Sequence, residues 1–126
     1  MIARALIVGA GGFLGSICRY LAGGLVYRVL PESFPWGTLV VNVSGCGAIG
    51  FLAVLADERM ALSPEARLFL MIGVLGGYTT FSSFGLETFN LLRDGGFLPA
   101  ALNAIGQLAL GLLAVWLGAA LARSLA

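Results

Sequence analysis

The sequence predicts an all-α integral membrane protein of four transmembrane helices, and three observations carry that prediction. Hydrophobic residues fill 60% of the 126 positions and charged residues only 10%, whereas a soluble domain carries about 25% charged residues. The apolar residues fall into four runs, each long enough for the ~20 residues that cross a bilayer core. Nineteen glycines suit a membrane bundle, in which small residues let helix backbones approach one another.

The runs follow from the polar punctuation between them. The first, 3–29, stops at Pro31-Glu32-Ser33-Phe34-Pro35, and the second, 36–55, ends at Asp57-Glu58-Arg59. The third, 67–93, follows Ser63-Pro64-Glu65, and the fourth, 97–122, follows the turn Asp94-Gly95-Gly96. They make one transmembrane domain over 1–126, with no soluble domain or linker left over. An arginine before an apolar run at the N-terminus also suits a signal peptide, but three further spans of equal strength make it a first transmembrane helix.

Four spans put both termini and the loop between spans two and three on one side. That side holds Arg4, Arg59, Arg67 and Arg123; the other holds Arg28 and Arg93. Orientation follows the count of basic residues near span ends, and this bias is weak. The weakness points to insertion both ways round and an antiparallel homodimer; the alternative is one orientation with cytoplasmic termini.

The third span contains GGYTTFSSF at 76–84, near the bilayer midplane. Glycine lowers helix propensity, and Ser and Thr compete for backbone hydrogen bonds. Two readings are open. The helix is broken here, freeing carbonyls that line a cavity and bind an ion, or it is continuous, with a small-residue packing face.

Polar side chains in the other spans suggest where an ion could be handled. Arg19 lies inside the first span, where an arginine faces a water-filled cavity or a partner unless it snorkels to the surface. A fixed positive charge there suits attracting an anion. Gly11 and Gly15 form a small-xxx-small pair for helix approach. Thr38, Asn42 and Gly45 share a face of the second span, and the Asn42 amide has two N–H donors for a neighbouring helix or a passing anion. Asn103 and Gln107 share a face of the fourth span and read as cavity-lining or interhelical. Glu87, inside the third span, must be paired, solvated or protonated. Phe81 and Phe84, at i and i+3, either pack or present positive ring edges to an anion. Cys18 and Cys46 read as small buried hydrophobes rather than a disulfide or metal pair. With no histidine and no activated cysteine setting, the sequence predicts no enzyme.

Taken together, GGYTTFSSF at 76–84, GGFLGSICRY at 11–20 and WGTLVVNVSG at 36–45 resemble the Fluc (CrcB) family of fluoride channels. The resemblance covers all four spans. It implies a fluoride-selective channel of a bacterial inner membrane, multi-pass, forming an antiparallel dual-topology homodimer with two pores and passively exporting cytoplasmic fluoride. It implies a third helix broken near the midplane and a structural sodium ion (Na+) at the dimer centre, held by the main-chain carbonyls of Gly76 and Thr79. Phe81 and Phe84 would line the pore with Asn42; Arg19 would stand in the vestibule; Ser82, Ser83 and Glu87 would continue a polar track. One departure is evident. Family members often carry hydroxyl side chains on the fourth helix, where this chain has Asn103, Gln107 and Gly111.

Two other functions fit a short four-helix membrane chain. A proton-coupled multidrug exporter would need a carboxylate in the first span, which has Arg19 instead. A non-transporting assembly subunit would use Arg19, Asn42, Glu87 and Gln107 as inter-subunit partners.

Overall fold

The computed structural model describes residues 1–125 and is helical in every element; Ala126, the last residue of the expected domain, lies outside the described residues. Helix α1 spans Ile2–Val26. Helix α2, Trp36–Ala53, runs on as a π-helical stretch, Val54–Glu58. Helix α3, Pro64–Arg67, leads into a second π-helical stretch, Leu68–Val74, and then α4, Leu75–Tyr78. Thr79 and Thr80 follow, then α5, Phe81–Arg93, and α6, Phe97–Ser124. Four segments are long and apolar enough to cross a membrane: Ile2–Val26, Trp36–Glu58, Pro64–Arg93 and Phe97–Ser124. The protein is therefore a multi-pass helical membrane protein.

Local chemistry sets the element ends. Ser63 accepts a hydrogen bond from the Ala66 N–H at 3.1 Å and Pro64 fills the first helical position, starting α3 as a hydroxyl cap followed by proline should. Between α5 and α6 the turn passes through Gly95 at φ 79°, a conformation glycine adopts without strain. The second span outruns its expected end at residue 55. Glu58 receives Arg123, whose Nε lies 3.1 and 3.0 Å from its two oxygens, and Asp57 receives Arg67 at 2.7 Å. Arg67 also donates to the Ala56 carbonyl, and Arg59 to the Arg123 carbonyl at 3.2 Å. The acids that mark a loop in sequence thus form an ion-paired cluster joining α2, α3 and α6.

Packing relies on backbone approach. Apart from Pro35 and glycines, the buried apolar residues among those described are Val41, Val54, Ala56, Ala100 and Ala122, whereas many leucines and aromatics point outward, as Leu108, Leu112 and Trp116 do. Lipid is as apolar as leucine, so helices associate through close packing of small residues and polar contacts. Gly11 and Gly15 lie against the backbone of the π-helical stretch, Gly11 beside the Phe69 carbonyl and Gly73, Gly15 beside the Val74 carbonyl. On the other side, Gly50 meets Val115 and Gly118 meets the Gly47 carbonyl, locking α2 against α6.

Candidate functional site

The third span changes conformation between α4 and α5. Thr79 has ψ 157° and Thr80 has φ −150° and ψ 114°, both extended. The Thr79 N–H and hydroxyl both bond to the Leu75 carbonyl at 2.9 Å, closing α4. Thr80 then caps α5: its Oγ1 accepts from the Ser83 N–H at 3.2 Å and lies 3.0 Å from the Ser83 hydroxyl and 3.3 Å from that of Ser82. Threonine is a favoured helix cap because its oxygen takes one of the first orphan N–H groups.

Asn42 on α2 takes up the backbone that this geometry frees. Its Oδ1 accepts from the Thr80 N–H at 2.8 Å, while its Nδ2 donates to the Thr80 carbonyl at 3.0 Å. The same nitrogen donates to Gln107 Oε1 at 2.8 Å. Gln107 Nε2 donates to Asn103 Oδ1 at 3.0 Å, Asn103 Nδ2 to Thr88 Oγ1 at 2.9 Å, and the Thr88 hydroxyl to the Phe84 carbonyl at 2.8 Å. Asn103 is fully buried and Gln107 8% exposed. Buried amides in an apolar surround persist only when hydrogen-bonded, and this relay satisfies them across α2, α5 and α6.

Two cavities flank the interruption. One, about 460 Å³, is lined by Asn42, Gly76, Thr79, Phe81, Phe84 and Gln107 among others. The Phe81 and Phe84 ring centroids stand 5.5 Å apart at 44°, and Phe81 is 83% exposed. The other cavity, about 820 Å³, is lined by Arg19, Arg28, Thr38, Ser83 and Glu87 among others. Thr80 borders both. The residues singled out in sequence therefore divide: Phe81, Phe84, Asn42 and Gln107 on one side of Thr80, Arg19, Ser83 and Glu87 on the other, with Asn103 and Ser82 lining neither cavity.

On the second side, Arg19 Nη1 reaches the Thr79 carbonyl at 3.5 Å, so its charge sits beside the interruption. The Thr38 hydroxyl donates to Glu87 Oε1 at 2.7 Å, while Oε2 is buried without a partner among the described residues. Thr38, Asn42 and Gly45 share one face of α2, as their spacing predicts, and all meet the third span; Gly45 packs on the Thr79 methyl. Sequence reasoning placed Thr80 at the middle of the third span without assigning it a role, and did not single out Thr88. The available signal for Thr88 was its position one residue beyond Glu87, on the α5 face that Asn103 meets.

The two carbonyls expected to hold a cation have lost their helical donors, and Arg19 Nη1 approaches the Thr79 one at 3.5 Å. In a continuous helix the Gly76 carbonyl would receive the Thr80 N–H, which instead goes to Asn42, and the Thr79 carbonyl would receive the Ser83 N–H, which instead goes to Thr80 Oγ1. Both oxygens lose their helical donors, and both residues line the same cavity. Neutral oxygen donors are the chemistry of hard cations. Among the described residues there is no cluster of three or more His, Cys, Asp or Glu that could hold a metal, so a cation here would rest on carbonyls.

Fold and site together define a four-span helical membrane protein in which Asn42 of the second span holds the extended backbone of Thr80 in the third and Gln107 of the fourth. The chain belongs to the CrcB family: the family model described as CrcB-like protein, Camphor Resistance (CrcB), matches residues 6–119. It is similar to the fluoride-specific ion channel FluC of Opitutus terrae, 54% identical over 90% of this chain and 87% of the relative. It is also similar to those of Solibacter usitatus, 50% identical over 95% and 98%, and Rhizobium meliloti, 48% identical over 95% and 96%.

Proposed function

We propose that this protein is a fluoride-selective channel of the bacterial inner membrane that exports cytoplasmic fluoride passively. The observation that carries the reading is the shared cavity of Phe81, Phe84 and the amides of Asn42 and Gln107, in a chain about half identical to proteins named fluoride-specific ion channels. Fluoride is small and strongly hydrated, so a selective path must replace its water with donors and then release it. Polar N–H and O–H groups supply the donors, and the ring edges of Phe81 and Phe84 bridge the gap between them as weak positive partners.

The rest of the path follows from charge and position. Arg19 raises the local anion concentration in the wider cavity, with Ser82, Ser83 and Glu87 continuing the track and Asn103 supporting it from α6. In an antiparallel homodimer two copies would complete two pores, with the exposed Phe81 of each facing the other copy. The third span's interruption lies near the bilayer midplane, where the two-fold axis of such a dimer brings Gly76 and Thr79 of both copies together. Their carbonyls would hold a structural sodium, whose positive charge offsets the oxygens that lost their helical donors. No step requires covalent chemistry.

The test is direct. Purified protein in potassium-fluoride-loaded liposomes should release fluoride rapidly when valinomycin is added, and chloride-loaded liposomes should retain their anion. Absence of valinomycin-dependent fluoride release from a verified folded dimer would overturn the proposal.

A further inference from the structure

The amide relay has a direction, and its two ends fix it. The Thr80 N–H can only donate and the Phe84 carbonyl can only accept. Thr80 therefore places Asn42 Oδ1 toward itself, which turns Nδ2 toward Gln107 Oε1. That in turn sends Gln107 Nε2 to Asn103 Oδ1, Asn103 Nδ2 to Thr88, and the Thr88 hydroxyl to the Phe84 carbonyl. Flipping Asn42 or Gln107 would set donor against donor and acceptor against acceptor at both of its joints, and flipping Asn103 would set two donors against each other at Gln107 and take the Thr88 hydroxyl from the Phe84 carbonyl.

Counting N–H groups along this chain separates the three amides. Both N–H groups of Asn42 are engaged, one by the Thr80 carbonyl and one by Gln107. Asn103 is fully buried and lines neither cavity. Gln107 donates one N–H to Asn103; its second has no protein acceptor among the described residues, and its side chain lines the cavity that holds Phe81 and Phe84. One turn further along α6, Gly111 lines the same cavity without a side chain.

Resting on the channel reading above, we propose that Gln107 is the amide that donates to fluoride in this chain, and that Asn42 is a positioning residue. Asn42 holds the extended Thr80 and turns the Gln107 oxygen away from the anion path. The relay then presents the cavity with a donor whose orientation is fixed, which favours a small hard anion at Gln107.

Gln107 is the only glutamine in the sequence, which permits a clean test on the unaltered protein. With glutamine labelled at its side-chain nitrogen with ¹⁵N, the NH2 group gives one pair of proton signals. Titrating the wild-type dimer with sodium fluoride should move one signal of the pair, and sodium chloride should move neither. In Asn42→Ala the fluoride response should spread over both protons as the amide turns freely; an unaltered single-proton response would remove the positioning role. Gln107→Met, which keeps length but has no donor, should slow fluoride flux at subsaturating concentration by at least about tenfold, the scale of one lost charge-assisted hydrogen bond. Unchanged or faster flux would overturn the assignment, because Asn42, released from its Gln107 acceptor, would then be the donor. A conducting wild type with a silent Gln107 defeats this inference alone, whereas a wild type that carries no fluoride defeats the channel reading itself.

Discussion

Asn42 grips Thr80 by both of its backbone groups, accepting the N–H at 2.8 Å and donating to the carbonyl at 3.0 Å. The pairing imitates what a neighbouring strand would provide, at a point where the chain is extended inside an otherwise helical span. Hydrocarbon cannot satisfy such groups, so non-helical backbone survives at membrane depth only where protein or a cavity provides for it. Replacing Asn42 by leucine should orphan both groups at about 1–3 kcal/mol each. The check is reversible unfolding in detergent or bicelles together with hydrogen exchange at the Thr80 amide, which should quicken.

Close backbone packing predicts a sharp contrast between two glycines of α1. A Cβ on Gly15 would collide with the Val74 carbonyl, whereas one on Gly9 meets nothing within 4 Å. Gly15→Ala should therefore destabilise the protein by about 1–3 kcal/mol, the usual cost of overpacking. Gly9→Ala should leave stability unchanged or slightly raised, through its better helix propensity. Parallel unfolding curves of the two variants check this.

The paired rings carry the next expectation. Phe81→Ile or Phe84→Ile keeps an apolar side chain but removes the polarised ring edge. Each variant should elute as the wild type does and conduct fluoride far more slowly in the liposome assay. Wild-type flux from either variant would remove the ring-edge role.

Arg19 should act through its field as well as its contact with Thr79. Arg19→Gln should reduce fluoride flux most at low ionic strength. The deficit should shrink as added inert salt shortens the Debye length to about 10 Å at 0.1 M and below. A deficit independent of salt would assign Arg19 to the Thr79 carbonyl contact alone.

Much of this was legible in sequence because hydropathy and spacing are local properties. Four long apolar helical segments stand among the described residues, with ends that differ from the runs by up to three residues, and the i, i+4 spacings of Thr38 with Asn42 and of Asn103 with Gln107 did bring those pairs to shared faces. Long-range partners were not legible. Asp57 and Glu58 read as loop, yet the π-helical end of the second span contains them, because Glu58 meets an arginine 65 residues later. Likewise the glycines and threonines of 76–80 mark a weak helix, but nothing local says that a side chain 38 residues earlier takes the Thr80 N–H. The π-helical stretch Leu68–Val74 also lacks a local signature; it lies where Gly11 and Gly73 bring two backbones together.

Weak charge asymmetry between the two ends leads to a topological expectation. Single cysteines placed after the C-terminus, in a background with Cys18 and Cys46 replaced, should be labelled by impermeant thiol reagent from both sides of the cell membrane. Labelling from one side only would contradict dual topology.

Selective passive conduction of fluoride is read from the reversal potential. In a planar bilayer holding the purified protein, a fluoride gradient would be set across symmetric chloride and symmetric sodium, with an impermeant anion balancing charge. The account predicts a current that reverses at the fluoride equilibrium potential and stays there when the chloride concentration is changed on one side. A reversal that follows chloride or sodium, or one near zero despite the fluoride gradient, would contradict it.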